Sequence, residues 1–158
     1  MTDDNITSDS DDFMRRYAEK DRIFKALCKS VRDVNKKALF DGLAAAGITS
    51  VLVRFDGSGD SGQIEDIDTM SGGEPRDLPA GSIAIASPHW GDTEVQPIEI
   101  SIREAVETMA YDFLAETHGG WENNEGAYGE FTFNVADRSI VLDYNERIET
   151  SEYTQHIF

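Results

Sequence analysis

Between Asp11 and Ala46 the apolar residues Phe13, Tyr17, Phe24, Leu27, Val31, Val34, Ala38, Leu39 and Leu43 return at intervals of three, four and seven. That is the period of a helix with one apolar stripe. Thirty-six residues is long for a globular helix, so the reading places a break near Ser30 or Asp33–Asn35. Gly47 follows Ala44, Ala45 and Ala46 as a C′ glycine, with Ile48 as the apolar residue that closes the cap. The period then changes to two. Val51, Val53 and Phe55 alternate with Leu52 and Arg54, and Gln63 to Asp68 alternates again. Residues 50–68 therefore read as a β-hairpin around the loop Asp56 to Gly62. Ser82 to Ser87 suits one short strand, and Pro88 to Pro97 a connector. Ile98 to His118 returns to the helical period and stops at Gly119-Gly120. Glu130 to Val135 and Ser139 to Tyr144 flank the turn Ala136-Asp137-Arg138, and the tail Asn145 to Phe158 is expected to add an extended edge.

This order predicts an α+β fold: an antiparallel sheet of about five strands, two hairpins plus one, with helices packed on one face. Residues 1–9 carry little apolar content and are expected to be a disordered acidic segment before a single domain spanning 10–158. One cysteine, Cys28, excludes an internal disulfide and a cysteine-based zinc knuckle and suits a reducing, cytoplasmic location. No apolar run approaches the ~20 residues of a membrane span.

Charge changes the picture more than composition does. The chain carries −17 in total, and it is divided unevenly. Residues 11–46 hold nine Lys/Arg against six Asp/Glu, whereas residues 47–158 hold five Arg against twenty-two Asp/Glu. The last lysine is Lys37. Such a body repels phosphate backbones, because Lys and Arg supply most nucleic-acid affinity. A basic protein surface is the partner it attracts, with encounter steered at low salt. The basic stretch with Arg15, Arg16, Lys20, Lys25, Lys29 and Lys36 also suits a homodimer, set against the acidic body of a second copy.

Two glycine-rich strings hold the candidate chemistry. In Phe55-Asp56-Gly57-Ser58-Gly59-Asp60-Ser61-Gly62-Gln63-Ile64-Glu65 the oxygen ligands resemble a calcium loop. The comparison fails at the sixth and twelfth positions, where Ser61 and Ile67 stand in place of glycine and a bidentate acid. The plainer reading is a turn whose glycines adopt positive φ and whose Asp and Ser side chains bond the backbone. The second string, His118 to Gly129, reads as a helix stop and an ordered loop pinned by Trp121, with Asn123 and Asn124 accepting left-handed backbone. Were the two loops to meet, Asp56, Asp60, Glu122 and Glu125 would form an acidic cleft for Ca or Mg, or for metal-dependent hydrolysis. The three histidines, 89, 118 and 156, have no metal-pair spacing, and no G-x-S-x-G elbow is present.

The strings FDGSGDSGQIE, HGGWENNEGAYGEFTF and LDYNER resemble an uncharacterised bacterial domain family over about residues 31–158. The resemblance implies a chain encoded on plasmids, integrative elements or phage-like islands, and a cytoplasmic location; it implies no catalytic residue. The favoured expectation is a non-enzymatic protein of a mobile element that docks on the basic nucleic-acid-binding surface of a host protein. Asp56, Asp60, Glu65, Asp66, Asp68, Glu122 and Glu125 are its contact residues. The metal-binding domain is the alternative.

Overall fold

The structure, a computed structural model, describes residues 3–59, 61–123 and 125–158, and the side chains from residue 9 onward within that range. The elements are α1 (Asp3–Ala45), β1 (Ser50–Ser58), β2 (Ser61–Ser71), β3 (Glu74–Pro75), β4 (Ser82–Ser87), β5 (Gln96–Ser101), α2 (Ile102–Thr117), β6 (Ala127–Asn134) and β7 (Ser139–Glu146). Five strands form an antiparallel sheet in the order β3-β2-β1-β6-β7, and β4 and β5 pair separately. The fold is α+β, with a long first helix and a central second one.

α1 is unbroken. It begins at Asp3, inside the segment expected to be disordered, while Met1 and Thr2 lie outside the described residues. Ser30 does not interrupt the helix; its hydroxyl donates back to the Leu27 carbonyl at 2.8 Å, which satisfies the side chain within the helix. The helix stops as expected. Gly47, at φ 76°, donates to Ala44 and Ile48 donates to Leu43, which is the paired bonding of a Schellman cap, and Ile48 is buried.

The chain divides into two compact units. The first comprises residues 1–42 and 80–102. A two-stranded hairpin is marginal alone, and here β4–β5 is held to α1. The Asn35 side-chain amide donates to the Ala86 carbonyl and accepts from the Ala86 N–H, both at 2.7 Å, as a neighbouring strand would. Gly42 leaves room for Ile83, whose methyl lies 3.2 Å from where a β-carbon would stand. Asn35 is thus a docking residue and not a helix break. β5 occupies residues read as connector and helix start, so α2 begins at Ile102 instead of Ile98.

The second unit comprises residues 43–79 and 103–158. Alternation gives its sheet two distinct faces. Val51, Val53 and Phe55 of β1 and Ala127, Phe131 and Phe133 of β6 are buried, as are Ala105, Val106, Met109, Ala110 and Leu114 of α2. Phe113 and Phe131 approach to 6.3 Å between ring centres, which sets α2 on this inner face. Each large buried apolar side chain contributes about 1.5–3 kcal/mol. The Tyr111 hydroxyl accepts from the Ile64 N–H at 3.0 Å and so occupies a donor of β2. The tail beyond Glu146 forms neither helix nor strand, in place of the expected edge strand.

Candidate functional site

The first glycine-rich string is strand, not loop. Asp56 pairs with Gln63, Gly57 with Gly62 and Ser58 with Ser61, so the turn shrinks to the tip around Gly59. Of Gly57, Gly59 and Gly62 only Gly59 has positive φ, at 60°. Gly57 and Gly62 serve a different need. The Trp121 ring lies across both, and a β-carbon on either would stand 2.6 Å or 2.5 Å from it. The same ring meets Phe55 edge-on at 5.4 Å.

The two glycine-rich strings therefore meet. Gly126, at φ 80°, passes so close to the hairpin that a β-carbon would overlap the Gly57 carbonyl. Gly120 and Gly126 supply the left-handed backbone of the second string; Asn123 does not, and Asn124 lies outside the described residues. Arg147 closes the junction from the far end of β7. Its guanidinium donates to the Gly57 carbonyl at 3.1 Å and to the Asp56 carboxylate at 3.0–3.1 Å, and lies 4.8 Å over the Tyr128 ring. Beside this junction a cleft of about 410 Å³ is bordered by His118, Trp121, Glu125, Tyr144 and Glu149. His118 and Tyr144 stack face to face at 3.6 Å. Burial raises the Tyr144 phenol above its ordinary range, and Glu146 and Glu122 add to this in that order.

Convergence of the strings does not assemble the acids as the sequence reading drew them. Asp56 is bound by Arg147, Asp60 lies outside the described residues, and Glu125 borders the cleft. Glu122 sits by the hairpin, its β-carbon 2.8 Å from where one on Gly62 would be. Among the described residues no three of His, Cys, Asp and Glu are grouped as ligands to one ion.

The outward face of the five-stranded sheet holds the larger feature. Register places Asp66, Arg54, Glu130 and Asp143 in one row across β2, β1, β6 and β7. Asp68 stands one row away beside Leu52, and Asp56 one row the other way beside Tyr128. Five carboxylates thus share a face with the single cation of its strands, Arg54. Its guanidinium binds Asp68 at 2.6 Å and reaches Asp66 at 3.9 Å. The hydrogen bond to Asp68 chiefly raises the Arg54 pKa, with Coulombic help from Asp68, Asp66 and Glu130. Glu65 is the extra residue of a β-bulge where the register slips between Arg54 and Phe55, and it is exposed. A broad depression of about 840 Å³ lies on this face between Leu52, Arg54, Asp68, Arg76 and Thr132. Of the expected contact residues, Asp56, Asp66 and Asp68 belong here, while Glu122 and Glu125 belong to the junction. Glu130 and Asp143 escaped the sequence reading, although the turn at Ala136-Asp137-Arg138 already pairs them across the second hairpin.

The second unit holds nineteen Asp/Glu, five Arg and no Lys, against twelve acids and nine Lys/Arg in the first. Among the described residues no helix is long and apolar enough to cross a membrane. The fold and this surface define a small α+β domain whose sheet presents an open, acidic face. Residues 31–158 match the family of unknown function DUF6878, and the chain belongs to that family. No curated protein and no solved structure matches it.

Proposed function

We propose that this is a non-enzymatic interaction protein of a mobile genetic element, acting in the bacterial cytoplasm. Its open sheet face docks on a basic surface that a host protein uses for nucleic acid. One observation carries the reading: Asp56, Asp66, Asp68, Glu130 and Asp143 occupy adjoining positions on one sheet face, where Arg54 meets Asp66 and Asp68 and Arg147 meets Asp56, so the acids outnumber the arginines that reach them. Carboxylates fixed by a sheet lose little further freedom on binding, so their field is preorganised for a cationic partner. Such a face competes with phosphates for the same Lys and Arg side chains.

The test is displacement of labelled duplex DNA from a panel of bacterial DNA-binding complexes. Competition by the native chain should weaken steeply as salt rises. Asp66→Lys/Glu130→Lys/Asp143→Lys should abolish it, whereas Asp92→Lys/Glu94→Lys, outside the sheet, should retain most of it. No displacement of any complex, or equal loss in both variants, overturns the reading.

A further inference from the structure

The first unit carries a surface that the acidic face leaves unexplained. On α1, Phe13, Met14 and Tyr17 are 67%, 60% and 51% exposed, and Trp90, whose ring meets that of Tyr17 at a tilt with 5.3 Å between centres, is itself half exposed. These apolar groups lie among cations. Residues 13–29 hold Arg15, Arg16, Lys20, Arg22, Lys25 and Lys29 against Glu19 and Asp21, and Lys20 sits 5.8 Å over the Trp90 ring. The surface is both apolar and basic.

Its complement is in the same chain. Beyond Arg147, residues 148–158 have no regular structure and expose Ile148, Tyr153, Ile157 and Phe158, from 77% upward. Glu149 and Glu152 lie among them, with no Lys or Arg. Burying exposed side chains of this size is favourable at about 25 cal/mol per Å² of apolar area. Opposite charges then set which surface they meet. Reach is sufficient: eleven extended residues span up to about 36 Å, and the seventeen helical residues 13–29 about 25 Å.

We infer that two copies of this chain associate by reciprocal tail exchange, residues 148–158 of each lying along Phe13–Lys29 of the other. The occupant is a second copy because acidic-apolar tail and basic-apolar helix are supplied in equal number by every molecule. A two-fold arrangement uses both contacts at once and closes the assembly. This inference concerns a surface apart from the acidic sheet face and does not rest on the docking function proposed for it.

Light scattering on the full chain tests it, at ionic strengths of about 0.01 M and about 1 M, where the Debye length is about 30 Å and about 3 Å. At low salt the mass should approach twice 17.5 kDa and at high salt self-association should weaken. Phe13→Ser/Tyr17→Ser and, separately, Ile157→Ser/Phe158→Ser should each abolish the dimer with the circular dichroism of the native chain retained. Mixing the two variants should restore a weaker heterodimer, because one intact helix meets one intact tail. A monomer at every concentration overturns the inference, whether the tail is free or folded on its own helix. So does a tail variant that dimerises like the native chain, since that places the contact between helices.

Discussion

The Trp121 indole occupies the space over Gly62 that any side chain would need, with 2.5 Å between the ring and the site of a β-carbon. Gly57, opposite Gly62 across the hairpin, is used in the same way. These glycines are there for close approach and not for turning. Gly62→Ala should therefore destabilise the protein by about 1–3 kcal/mol, the usual cost of overpacking. In a Trp121→Ala background the same change should cost less, with the approach to the Glu122 β-carbon at 2.8 Å remaining. Gly81→Ala, with nothing within 4 Å of its β-carbon and no positive φ, should be neutral or slightly stabilising. Urea unfolding of the four variants measures all three effects.

Arg147 joins three groups with one planar fork: the Gly57 carbonyl, the Asp56 carboxylate and the Tyr128 ring. A lysine ammonium has the charge but neither the fork nor the flat face. Arg147→Lys should thus lose about 1 kcal/mol of stability, the scale of a net hydrogen bond. Its coupling to Asp56, both partners being partly exposed, should fall within about 0.2–1 kcal/mol in a double-mutant cycle.

Much of this was legible in the sequence, and the misses share a cause. Helical period located α1 and α2, and the Gly47-Ile48 cap followed from local chemistry alone. β5 was missed because Gln96-Pro97-Ile98-Glu99-Ile100-Ser101 runs without a break into Ile102; its pairing with β4 is a non-local fact. The hairpin over 50–68 is legible, but Asp56 to Gly62 reads as its loop because glycine signals turns when seen alone, whereas Trp121 is about sixty residues away in sequence. The acids of β2 were found by their clustering. Glu130 and Asp143 join them only through register, and Arg147 reaches Asp56 across ninety-one positions.

Asp112 on α2 is held above the ordinary carboxylate range, mainly by desolvation and then by Glu116 one turn on. The unfolded chain gives up this proton near 3.8 and the folded chain at higher pH. Between those two values the folded state binds more protons. The favourable contribution is therefore complete below the unfolded pKa and lost as pH rises through the folded one. Asp112→Asn should raise thermal stability at pH 7, and the gain should vanish near pH 3. A pH series of melting curves for the two proteins checks both ends.

The claim that the open sheet face forms one continuous negative field is tested most directly by amide chemical-shift mapping as a short arginine-rich peptide is titrated into the full chain. The account expects the shifts to gather at Arg54, Asp66, Asp68, Glu130 and Asp143, to saturate together, and to fade as salt is raised. Shifts of similar size at Asp92, Glu94, Glu149 and Glu152 would contradict it, because the peptide would then be following net charge and not that face.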